Sequence, residues 1–306
     1  MILADVTGPS ARRVITAYLA LWCACVGYLA FAGADWVFPV VALILFGIGL
    51  SALAWALTRG LKPHAIEVAR PKNESLTLLV YLAVYAVVLV GVGLGVVRAF
   101  APEGVVRELL IICYKLVIHV GLPALIIVGF QGQLKPLLRG IGRERSYWST
   151  FVVLAAILFG LLAVVSPSLN AIAATGVVWP TAFLWILASW IWMSVEAGLC
   201  EEFLFRACLQ SRLSAWLDSP LAAVLLVSVL FALSHWPGLY LRGSAGTDGW
   251  STDPVQVAAF TIATLSPLSI FFGVLWERTR SLLLIALLHG AVDALPNTAE
   301  MIILWR

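Results

Sequence analysis

Glu201 and Glu202 stand side by side, Arg206 follows four residues on, and two histidines come later: His235, with Phe231 four residues before it, and His289, with Asp293 four residues after it. These are the groups of acid–base hydrolysis. A carboxylate takes a proton from water, and an imidazole holds that water or stabilises the charge that develops on the substrate. The same residues admit two other chemistries. Two histidines and a carboxylate can ligate Zn²⁺ with an open water position, although the HExxH spacing is absent. Cys200 is a possible nucleophile with His235 or His289, but one helical step turns it about 100° from Glu201, so the two side chains do not address one spot. The remaining cysteines, Cys23, Cys25, Cys113 and Cys208, show no CxxC spacing and read as small buried apolar residues.

The elements that must position these groups are membrane helices. Hydrophobic residues make up 62% of the 306-residue chain and charged residues 11%, against about 25% charged in soluble domains. The mean hydropathy is +1.02. Apolar runs near 14–33, 36–58, 76–97, 108–130, 150–166, 180–202, 220–235, 255–276 and 281–295 predict eight or nine spans. They are continuously apolar, whereas barrel strands alternate, so the expected fold is an all-α polytopic transmembrane bundle. The first run is too long for a signal peptide and is expected to stay as a helix. One membrane domain is expected over 1–306, with the chemistry in 180–296 and additional helices in 14–166.

Charge placement orients the bundle. With the N-terminus inside, fourteen basic residues fall on the cytoplasmic side: Arg12, Arg13, Arg59, Lys62, Arg70, Lys72, Lys135, Arg139, Arg143, Arg145, Arg206, Arg212, Arg278 and Arg280. Four, Arg98, Arg107, Arg242 and Arg306, fall opposite, and Lys115 lies within a span. The expected location is a prokaryotic inner membrane, with the lipid bilayer as a constant partner. The net charge of +3 is spread over short loops, without a patch that would bind nucleic acid. The thirteen tryptophans suggest interfacial belts.

Counting along helices tests whether the polar groups can meet. Trp216-Leu217-Asp218-Ser219-Pro220 reads as a turn with proline opening the next helix. Glu201 lies 15 residues before Trp216 and His235 lies 15 after Pro220, so both sit roughly 22 Å from that turn. A second turn at Glu277–Arg280 places His289 and Asp293 on one face, roughly 14 Å in. The Gly-, Ser- and Asp-rich stretch 236–254 reads as an external loop, and Pro296 is expected to end the last span early. Lys115 is expected to snorkel and His119 to find a backbone or water partner. Glu196, one and a half turns before Glu201, is a candidate to line the same cavity.

Glu201-Glu202-xxx-Arg206, Phe231-xxx-His235 and His289-xxx-Asp293, in this order and separated by 34 and 54 residues, resemble the three motifs of the CPBP family of intramembrane proteases, which includes the CAAX prenyl endopeptidases and bacteriocin-processing enzymes. The resemblance spans about 180–296. It implies a cofactor-free and metal-free glutamic endopeptidase that cuts a membrane-associated protein or peptide near its C-terminus. Glu201 would be the general base, made basic by burial, and His235 would help hold the water. His289 would stabilise the oxyanion. Where the family often has asparagine this chain has Asp293, expected to orient and charge His289. Glu202 and Arg206, at i and i+4, would form a supporting ion pair. A noncatalytic membrane scaffold and a small transporter are the competing readings of the same polar residues.

Overall fold

A computed structural model describes residues 9–138 and 145–306; Arg139 and Arg143, counted above among the cytoplasmic charges, lie outside the described residues. Among these residues nine helices are long and apolar enough to cross a membrane: α1 (Ala11–Phe31), α2 (Val37–Leu57), α3 (Pro71–Phe100), α4 (Val105–Gly129), α5 (Ser146–Val165), α6 (Trp179–Leu217), α7 (Pro220–Arg242), α8 (Pro254–Thr279) and α9 (Leu282–Trp305). The chain is an all-α, multi-pass integral membrane protein.

Turn chemistry sets the antiparallel order of the last four helices. Asp218 takes a left-handed conformation (φ 48°), Ser219 caps α7 by accepting from Ala222 N at 3.2 Å, and Pro220 opens the helix, as expected from the sequence. Arg280 (φ 48°) and Ser281, which accepts from Leu284 N at 3.3 Å, repeat the device between α8 and α9.

Two expectations fail at prolines. α7 runs through Pro237 to Arg242, and α9 runs through Pro296 to Trp305, so the stretch 236–254 is only partly loop and the last span is complete. A proline inside a helix frees carbonyls, and a membrane helix tolerates it where neighbouring groups take them up. Beside Pro296, the Asp293 and Ala294 carbonyls accept from Asn297 Nδ2 at 2.8 Å and Ser189 Oγ at 2.9 Å. In α8, Ala263, four residues before Pro267, has its carbonyl taken by the Trp22 indole at 2.9 Å.

α6 is the central helix. Every residue from Glu202 to Leu213 is buried, and Phe203 and Phe205 share one core with Leu78 and Leu82 of α3, Phe271, Phe272 and Trp276 of α8, and Leu284 and Leu288 of α9. Arg206 and Arg212, counted above as cytoplasmic loop charges, are instead fully buried, because each has a carboxylate partner: Glu202 for Arg206, and Glu74 of α3 for Arg212 at 3.1 Å. The charge asymmetry survives their removal.

α6 and α9 approach closely at small residues, as membrane helices do where backbones must meet. A Cβ on Gly198 would stand 2.2 Å from the Ala286 carbonyl oxygen, and one on Gly290 would stand 2.2 Å from Ser194 Oγ. Trp190 Nε1 bridges the same seam to the Leu287 carbonyl at 2.8 Å.

Candidate active site

The close seam brings α9's histidine against α6's paired carboxylates. His289 Nδ1–H donates to Glu202 Oε1 at 2.7 Å, while its Nε2 lies 3.8 Å from Glu201 Oε2. From α7, His235 Nε2 lies 3.7 Å from the same Glu201 oxygen. His235 Nδ1–H donates to the Phe231 carbonyl at 2.8 Å, and since a carbonyl only accepts, the neutral ring turns an accepting Nε2 toward Glu201. Three helices thus converge on one carboxylate oxygen. Both separations are too long for a direct hydrogen bond and suit a bridging water.

Aromatic rings fix the imidazoles. Phe272 stacks on His289 with centroids 4.9 Å apart and planes 13° apart, and Phe231 lies 4.6 Å from the His235 ring. The Arg206 guanidinium sits 4.6 Å over Phe231. Its Nη2 donates to Ser269 Oγ at 2.9 Å, and its Nη1 lies 3.1 Å from Glu202 Oε1, a charge contact at an angle too poor to count as a hydrogen bond. Both side chains are wholly excluded from solvent, whereas Glu201 keeps 12% of its side-chain surface and His235 35%. Of the two adjacent carboxylates, only Glu201 is therefore open to a water or a substrate.

Asp293 Oδ2 stands 3.5 Å from His289 Nε2, the nitrogen that also faces Glu201. The hydrogen bond that orients His289 comes from Glu202 on Nδ1, which corrects the expectation that Asp293 orients it. Cys200, the alternative nucleophile, is fully buried. Among the described residues no three His, Cys, Asp or Glu side chains group closely enough to hold a metal ion.

Sequence reasoning misplaced one group and missed others. Lys115 does not snorkel: its Nζ lies 3.3 Å from Glu196 Oε1 inside the bundle. His119 does find a backbone partner, Lys115 O at 2.8 Å, and its Nε2 meets Tyr85 OH at 2.6 Å. Tyr85, Ser269 and Phe272 carry no local signal, since their relation to the site is tertiary. Asn297 does carry one, lying four residues after Asp293 on the same face.

Two cavities flank the site. One of about 280 Å³ is lined by His235, Val90, Gly238, Leu239, Arg242 and Phe260, among others. The second, about 420 Å³, is lined by charged side chains and reaches Glu196 and Asn297. Both lie toward the end of the bundle that holds the C-termini of α3, α7 and α9.

Residues 183–295 match the family model described as Type II CAAX prenyl endopeptidase Rce1-like. No curated protein and no solved structure matches the chain. The matched segment contains every residue of the three motifs. The part of this membrane protein that gathers Glu201, His235 and His289 is thus similar to the Rce1-like type II CAAX prenyl endopeptidases, a family of intramembrane proteases.

Proposed function

We propose that this protein is a glutamic intramembrane endopeptidase in which Glu201 activates water against a peptide carbonyl of a membrane-associated protein or peptide, near the substrate's C-terminus. The observation that carries this reading is the approach of two imidazole Nε2 atoms, from two other helices, to within 3.7 and 3.8 Å of Glu201 Oε2. A water seated there accepts nothing it must break: it donates one proton to Glu201 and one hydrogen bond to His235 Nε2. As its oxygen bonds to the carbonyl carbon, the proton passes to Glu201 and the carbonyl oxygen becomes an oxyanion. His289, with Nδ1 held by Glu202, presents Nε2–H to that oxyanion as an imidazolium. The C–N bond then breaks, and the leaving amine takes the proton back from Glu201.

The 180–296 segment is the catalytic core in this reading, and the preceding helices are additions to it. The N-terminus is cytoplasmic and the membrane is a prokaryotic inner membrane. The test is proteolysis of a pool of peptides carrying a C-terminal membrane anchor, by purified solubilised protein, comparing wild type, Glu201→Gln and His289→Ala with and without a strong chelator. Cleavage lost in both variants and kept in chelator supports the glutamic mechanism. Loss in chelator points to zinc, and solute flux abolished by Glu201→Gln points to a transporter. A Glu201→Gln protein that cuts like wild type sinks the assignment.

A further inference from the structure

Hydrolysis inside a bilayer needs a route for water that hydrocarbon does not supply, and the side of α6 toward Leu213 is sealed by the buried stretch Glu202–Leu213. The opposite side is polar. Arg98, Glu103, Arg107, Glu108, Glu196 and Glu300 all line the 420 Å³ cavity, a set of charges stable only in contact with water. Its lining includes Glu196 and Asn297, the residues that precede Glu201 by five on α6 and follow Asp293 by four on α9. An ordinary helix would turn residues five apart about 140° from each other. Over Ser194–Leu199, however, α6 makes wide π turns, in which residues five apart return toward one face.

Glu196 is held from both sides: Lys115 Nζ lies 3.3 Å from Oε1 and Trp192 Nε1 donates to Oε2 at 2.6 Å. Lys115 does not line the cavity. It stands behind Glu196, on the Val105–Leu116 stretch of α4 that packs against Ser194–Leu199 of α6. Of the α6 residues that line the cavity, Glu196 is the nearest along the helix to Glu201, and Lys115 backs it. We infer that the water consumed at Glu201 enters through this charged cavity along the Lys115–Glu196 pair, which makes Lys115 and Glu196 positioning residues for the nucleophile. This inference rests on the hydrolytic reading of Glu201; the cavity that His235 lines is left for the peptide.

The experiment has two arms, both in protein whose exposed cysteines, Cys23 and Cys113, are replaced by alanine. In the first, Asn297→Cys is labelled by a small cationic methanethiosulfonate, with and without Met301→Trp as a plug in the cavity. Labelling that slows roughly tenfold or more with the plug is expected, on the scale of an obstructed path. No labelling of the folded protein, or labelling indifferent to the plug, overturns the route. In the second arm, the plug and Glu196→Gln are each expected to lower kcat about tenfold at unchanged KM, with Glu196→Asp restoring most of it. An unchanged kcat, or a raised KM that marks the cavity as a peptide site, overturns the inference. Leu304→Trp, at another lining position, replaces the plug if Met301→Trp fails to fold. The labelling arm needs no cleavable peptide, so it stands apart from Glu201→Gln, whose retained activity would remove the glutamic reading alone.

Discussion

At the residue scale the site is a single carboxylate oxygen approached by two imidazoles, with a second carboxylate withdrawn from solvent to hold one of them. Replacing Glu201 by glutamine keeps the shape and removes the base, so cleavage is expected to fall by roughly 10²–10⁴-fold, read as initial rates on the anchored peptide pool. His289→Ala removes the proposed oxyanion donor and is expected to cost about 10²–10³-fold, most of it in kcat. Glu202→Gln behaves differently. It leaves Arg206 buried beside a neutral partner, which costs about 3–5 kcal/mol where a buried pair is broken, so the thermal midpoint of the solubilised protein should drop along with the rate. The three motifs were legible in sequence because charges inside apolar helices are costly and i, i+4 spacing puts partners on one face. The exchange of roles between Glu202 and Asp293 was not legible, since it depends on which imidazole nitrogen faces which helix.

At the element scale the geometry depends on how near α9 comes to α6. Gly290 faces Ser194 backbone N at 2.6 Å from where a Cβ would stand, so the seam has no room for a side chain. Gly290→Val is expected to push His289 away from Glu202, destabilising the fold by about 1–3 kcal/mol as overpacking does and removing cleavage, measured by melting and turnover on the same preparation. Helix boundaries were readable where a turn carried its own chemistry, as at Asp218-Ser219-Pro220, and the second turn, read at Glu277–Arg280, falls at Arg280-Ser281 because α8 runs on to Thr279. The boundaries were misread at Pro237 and Pro296, where the helices run on through the proline; at Pro296, Ser189 of α6 and Asn297 of α9 itself bond carbonyls of the preceding turn, which the local cost of a proline leaves out. The wide turns of α6 left no pattern in a sequence that is apolar almost throughout.

At the scale of the whole molecule the N-terminal helices are packed into the same core as the matched segment. Arg212 pairs with Glu74 of α3, and Arg278 donates through Nη2 to the Thr58 carbonyl at 2.6 Å, just past the end of α2. A fragment covering 180–306 would strip Arg212 of its partner and expose the faces of α6 and α8 that these helices cover. It is expected to aggregate in detergent, seen as loss of a monodisperse peak in size-exclusion chromatography. The bundle itself was plain from composition and run length, whereas these cross-ties, between residues 138 and 220 positions apart, leave no trace in spacing. The N-terminus-inside reading predicts that a periplasm-dependent reporter fused after Arg306 is active and a cytoplasm-dependent one is not.

The buried run from Glu202 to Leu213 closes the recess around Glu201 on that side. In the proposed reaction a peptide that enters past His235 cannot pass on toward Leu213, where Phe203 and Phe205 are fully buried, and the charged cavity beside Glu196 serves water alone. Both halves of a severed substrate then leave through the mouth by which the whole arrived, and the fragment that sits deeper waits for the other. Turnover in such a dead end is governed by departure as much as by bond breaking, so the cleaved anchor segment should compete with fresh substrate and slow the reaction as it accumulates.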